Sequence, residues 1–213
     1  MRIVLTIFLV SLLHLQGETG TITGTVQIPK TKKTEIPLGK YRGKISGKVA
    51  PPSPNVAAVW LEGPNLTAPS KSSRVVLAQK NYQFSEPLLV VAKGTTITFP
   101  NYDPDFHKIY SLSKPKRFDL GRYKAEEKDI PSVTFDKLGF IALRCEIHDH
   151  MKANIIVVDT PHFITTDANG KFTLKNIPPG NYTLHAQTDK KHTWKTSITV
   201  QARKTTTVKF PAK

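Results

Sequence analysis

Thiols, thioethers and acidic groups are scarce in this chain. Its 213 residues include a single cysteine, Cys145, and one methionine besides Met1, namely Met151. One cysteine cannot close an internal disulfide, so the core alone must hold the fold. Asp and Glu number 16 against 31 Lys and Arg, giving a net charge of +15 and a pI near 9.9. Long apolar runs are missing too: the longest, Ile3 to Leu15, is too short to span a bilayer comfortably. Few segments show helical periodicity. What remains are short alternating runs between turn residues, the pattern of an all-β protein.

Met1-Arg2, the apolar run and the polar exit Gln16-Gly17-Glu18 together predict a cleaved signal peptide over residues 1–19, and hence a periplasmic or secreted protein. Lipid attachment would need a cysteine at the cleavage point, and Cys145 is far from it. Export makes a free thiol a liability unless something protects it, and metal coordination does so. Outside the cytoplasm the basic charge does not call for nucleic acid. It suits an acidic partner protein or an anionic membrane surface, acting through steering.

The length allows one large or two ordinary domains. Residues 21–26 alternate as a strand, and 44–49 echo them; between them residues 30–42 form a basic, solvated loop. Pro51-Pro52-Ser53-Pro54 breaks the chain before an apolar strand at 56–61, and residues 65–73 have linker composition. From Arg74 onward, strands are expected at 75–79, 83–85, 88–92, 95–99, 108–111, 132–135, 139–145 and 153–159, as a two-sheet sandwich. Residues 101–106 and 114–129 have loop composition. The remainder, 163–210, again shows short alternating strands, with Asn169-Gly170 suited to a tight hairpin turn.

Cys145, His148 and Met151 are spaced three residues apart on a loop joining two expected strands. A buried structural Cys beside core Met and surface His is the bland reading. A thiolate, an imidazole and a thioether on one loop are also the ligand types of a trigonal copper site with a long axial Met, given a second imidazole. His107, after the turn-rich stretch Asn101 to Phe106 at the same end of the sandwich, is the candidate. Copper heads the divalent affinity order and suits a soft thiolate, with zinc the runner-up. A binuclear copper centre would need two bridging cysteines, and a multicopper oxidase more His than the seven present, so no catalysis on a substrate is expected.

The spacing Cys145-x-x-His148-x-x-Met151 and the stretch Asn101-x-Asp103-x-x-x-His107, with Tyr110-Ser111, Phe118-Asp119-Leu120-Gly121 and Val133-Thr134-Phe135-Asp136-x-x-Gly139, resemble a cupredoxin of the plastocyanin and amicyanin type over residues 72–159. The resemblance implies a Greek-key β-sandwich with one type 1 copper ion. His107, Cys145 and His148 would lie in the plane and Met151 on the axis, and the ion would cycle between Cu(I) and Cu(II) with a redox partner protein. Three positions depart from the pattern. Lys108 replaces the usual Asn that ties the ligand loops, Asp149 replaces a common Pro, and His150 replaces an apolar residue. His150 is thereby an alternative ligand to Met151, and with it a copper carrier or resistance protein without electron transfer is the alternative reading.

Thr165-Thr166-Asp167-x-Asn169-Gly170-x-Phe172 and Ile177-Pro178-Pro179-Gly180-x-Tyr182-Thr183-Leu184 resemble the carboxypeptidase regulatory-like, transthyretin-type sandwich. Such domains open with strands similar to residues 20–26 and 55–63. The expectation is therefore one discontinuous sandwich, 20–64 plus 160–213, with the copper domain inserted in it. Lys190, Lys191, Lys195, Arg203 and Lys204 would offer it a basic surface.

Overall fold

The computed structural model describes residues 18–29, 45–64, 66, 73–125 and 129–212. The expected signal peptide, but for its last two residues, and the basic loop at 30–42 lie outside these. Among the described residues the chain is all-β, with seventeen strands and no helix. Alternation of buried and exposed side chains runs along most of them, as a sandwich with one dry and one wet face per sheet requires.

One sandwich is built from both ends of the chain. Strand β1 (Gly20–Val26) lies between β14 (Lys171–Ile177), antiparallel, and β17 (Thr205–Phe210), parallel. Facing this sheet are β13 (Phe163–Thr165), β2 (Ala58–Glu62), β15 (Gly180–Gln187) and β16 (Thr193–Val200), paired in that order. Ile22, Leu61, Ile177 and Leu184 fill the space between the sheets and are fully buried. Burial of each such side chain contributes about 1.5–3 kcal/mol.

The intervening residues form the second sandwich. One sheet holds β10 (Ser132–Phe135), β7 (Thr95–Thr98) and β3 (Arg74–Val76). The other runs β6 (Leu88–Ala92), β12 (Lys152–Val158), β11 (Gly139–Cys145), β8 (His107–Ser113) and β9 (Lys116–Tyr123). A small hairpin, β4 (Gln79–Lys80) with β5 (Gln83–Phe84), closes one end. Phe99, Phe135, Ile141, Leu143 and Ile155 make its core. Between the two sandwiches Ala58, Leu88, Val90, Ile156 and Val158 form a third buried cluster, joined by Trp60, Phe140 and Phe163.

Three local expectations change. Residues 116–123, read as part of a solvated loop, are an eight-residue edge strand paired with β8. Their charges sit on an outer edge, where they discourage edge-to-edge pairing without preventing the strand. Of residues 44–49, read as a strand, the described part, 45–49, is irregular instead and runs on to residue 50 as a strap, with Ile45 and Val49 packed on the core of the second sandwich. Asn169-Gly170 does lie in a tight turn, with the Gly170 N–H donating to the Asp167 carbonyl (3.0 Å) and the Asp167 N–H to the Lys171 carbonyl (2.9 Å), but the strands it joins, β13 and β14, lie in different sheets and form no hairpin. Only Gly170 takes positive φ (75°), and a Cβ there would sit 2.0 Å from the Val26 carbonyl oxygen.

Candidate metal centre

β11 and β12 pair antiparallel up to Arg144 opposite Lys152, so residues 146–151 are the loop closing that hairpin. The loop folds on itself: the Met151 N–H donates to the His148 carbonyl (2.9 Å) and the Cys145 N–H to the Met151 carbonyl (3.2 Å). On its other side β11 pairs with β8, Cys145 opposite Ile109, which brings His107 alongside. Sequence neighbours and a register thus meet at one point.

There the Cys145 Sγ is 3.7 Å from the His107 Nδ1 and 3.8 Å from the His148 Nδ1, and the two nitrogens are 3.1 Å apart. All three residues are buried, His107 completely. Bond lengths of roughly 2.0 Å from nitrogen and roughly 2.3 Å from sulfur to a first-row metal put the corners of a trigonal plane roughly 3.5 Å (N···N) and roughly 3.7 Å (N···S) apart; the two N···S sides match and the N···N side is shorter, so a single ion fits with a narrowed angle between the imidazoles. The donor chemistry agrees, as two imidazoles and a thiolate suit copper or zinc. Met151 is fully buried in the same core as Cys145. His150 is not in the converging group; its Nε2 donates instead to the Tyr82 carbonyl (3.0 Å).

Burial alone would raise the Cys145 thiol, but hydrogen bonds from His107, His148 and the backbone outweigh it and bring the pKa down to about 6. Burial likewise pushes His107 down, while Asp103 and Cys145 outweigh it and leave the imidazole raised. His150 is lowered by burial.

Several surrounding residues had no assigned role in the sequence. Asp103 is buried, and its Oδ2 accepts both the His107 Nε2–H (2.9 Å) and the Tyr82 N–H (3.0 Å). Its spacing four residues before His107 was visible, but not that its carboxylate turns inward. Tyr82 stands edge-on to both His107 and His148, with ring centroids 5.9 and 5.1 Å away. Its hydroxyl donates to Asp105 (2.6 Å) and accepts the N–H groups of Ser46 and Gly47. Ser46 donates to Asp105 from both its backbone and side chain. The strap at 45–50 is thereby fastened beside the centre. Nothing in the sequence signals this, since Tyr82 acts from a left-handed turn, φ 59°, and the strap is distant in the chain.

Lys108, standing where an Asn clamp is usual, ties the two ligand loops by other means. Its Nζ pairs with Glu146 (2.5 Å) and Asp119 (3.2 Å), and the Glu146 N–H donates to the Lys108 carbonyl (2.9 Å). The clamp is an ion pair over a backbone hydrogen bond.

Comparisons with known proteins give one family model and several partial structural matches. Residues 151–213 match the family model of the carboxypeptidase regulatory-like domain. Solved structures that match part of the chain include a copper-containing nitrite reductase (NirK) from Thermus scotoductus SA-01, at 25% identity over 40% of this chain and 22% of that one, TM-score 0.38. This chain therefore spans about a fifth of that enzyme's length. A purple cupredoxin from Nitrosopumilus maritimus matches at 22% identity over 40% of this chain and 99% of that one, TM-score 0.34. A reduced amicyanin variant matches at 23% identity over 40% and 82%, TM-score 0.36. No curated protein matches the sequence significantly.

Proposed function

We propose that this is an exported mononuclear copper protein that carries single electrons, and that His107, Cys145, His148 and Met151 are the residues that would hold the ion. The observation that carries the reading is the buried triangle of two Nδ1 atoms and one Sγ, with sides of 3.1, 3.7 and 3.8 Å. When bound, a copper ion supplies the Cu(II)/Cu(I) couple. The chain does the rest. Strand register and the Lys108–Glu146 clamp hold the ligand loops in one arrangement, so little need move between oxidation states. Tyr82 and the strap keep water from His148, which is 4% exposed. The Asp103 carboxylate keeps the proton of His107 on Nε2 and leaves Nδ1 free to ligate.

The other sandwich serves as the docking module. Residues 72–159 carry 13 basic and 11 acidic side chains, whereas residues 160–213 carry 9 and 2. The surplus charge that would steer an acidic redox partner or an anionic surface therefore lies away from the copper domain.

The complete burial of His107 and Met151 favours a second reading, a copper carrier that releases its ion only when opened. Repeated chemical reduction and reoxidation of the copper-loaded protein in the presence of a strong chelator separates the two. An electron carrier keeps its copper through many cycles; loss of copper in the first cycles would support the carrier of ions.

A further inference from the structure

If His107 ligates through Nδ1, its Nε2 must carry a hydrogen. That hydrogen is directed at an ionised group. The Asp103 Oδ2 lies 2.9 Å away, and the side chain is 4% exposed. The same oxygen accepts the Tyr82 backbone N–H (3.0 Å). The carboxylate is also held in place. The Asp103 N–H donates to the Asn101 Oδ1 (2.8 Å), and the Asn101 Nδ2 donates to the carbonyls of Asp105 (2.9 Å) and Tyr123 (3.2 Å). Beneath this loop, buried Gln79 donates to the Phe99 carbonyl and the Tyr123 hydroxyl. The two imidazoles are therefore unequal: the His148 Nε2 is buried with no hydrogen-bond partner among the described residues.

Resting on the copper reading above, we propose that Asp103 is a positioning residue that makes His107 the stronger imidazole donor and biases the centre towards Cu(II). Two physical effects point the same way. A carboxylate accepting the distal N–H raises the electron density at Nδ1. A buried negative charge also stabilises the doubly charged ion more than the singly charged one, in surroundings that screen it poorly. A purely structural staple would need only an acceptor for the Tyr82 N–H and the His107 N–H. An amide oxygen is such an acceptor, which is what makes the two roles separable.

The test compares copper-loaded wild type with Asp103→Asn, which keeps an acceptor and removes the charge. One copper per chain and an intense thiolate band are expected in both. The ratio of Cu(II) to Cu(I) affinity is expected to fall at least tenfold in the variant, which raises the one-electron potential by about 59 mV. Unchanged potentials would overturn the proposal while leaving the copper reading intact. Pulsed EPR of the wild type supplies a readout that needs no variant. Two clearly different couplings are expected from the distal nitrogens of His107 and His148, and equal couplings would refute the inference even if Asp103→Asn fails to fold. Wild-type protein with neither stoichiometric copper nor the band would remove the copper reading and this inference together, recognisably by that absence.

Discussion

Before any metal binds, Cys145 should already be a thiolate at neutral pH. The perturbation is a pH titration of the metal-free protein, followed through thiolate absorbance near 240 nm with Cys145→Ser as the blank. An unperturbed thiol titrates near 8.5 and is only a few per cent ionised at pH 7. In the fold, burial opposes ionisation, but hydrogen bonds from the His107 and His148 rings and from the Lys108 and His148 backbone outweigh it, and the pKa falls to about 6. At pH 7 about nine-tenths of the chains then carry the thiolate. The sign follows from linkage. A folded pKa below the unfolded one stabilises the fold fully above the unfolded value, and that contribution is lost as pH falls through about 6. Replacing His107 by Leu removes one of the stabilising partners and leaves burial in force, so the midpoint should move up by more than a unit. A wild-type midpoint at or above 8.5, or one unmoved in His107→Leu, would refute the reasoning.

Three further outcomes are expected. Ile156, 2% exposed in the cluster between the sandwiches, should cost about 2–4 kcal/mol on substitution by Ala, and calorimetry should show both sandwiches losing stability together. The Asp105 carboxyl is raised by burial but held below the usual range by the Tyr82 hydroxyl and by Ser46, so the strap should be fast at neutral pH and loosen as pH falls through and below that range. Asp105→Asn should weaken it by about 1 kcal/mol after allowance for exposure, read as faster amide exchange at Ser46 and Gly47 and faster loss of copper to a chelator. Charge reversal at Lys190, Lys191 and Lys195 should slow reduction by an acidic redox protein and flatten its salt dependence, while the copper spectrum stays unchanged.

Much of the site was legible because its signal is local. Cys145, His148 and Met151 declare a loop by spacing, and the motif before His107 names its partner, although only the register of β8 against β11 shows them meeting. The surroundings were not legible, because they act across the chain. Tyr82, the strap residue Ser46 and Asp105 converge from three separate segments, with no periodicity to announce it. The strand at 116–123 was hidden by its own charges, since an exposed edge strand and a solvated loop have similar compositions. The pairing of β1 with β14 and β17 is likewise a long-range fact. The family model begins at Met151 and so takes in β12, a strand that the structure places between β6 and β11 of the other sandwich. A contiguous match has no means of finding an opening strand that lies more than a hundred residues upstream.

The central claim is that His107, Cys145 and His148 hold one copper ion. The most direct measurement is the visible and EPR spectrum of the purified protein after one equivalent of Cu(II). One tightly held copper per chain is expected, with an intense thiolate-to-copper band that is abolished in Cys145→Ala, lost or strongly altered in His107→Ala, and kept in His150→Ala. A pale, readily chelated complex with no thiolate band, or a band that survives in Cys145→Ala, would contradict the account.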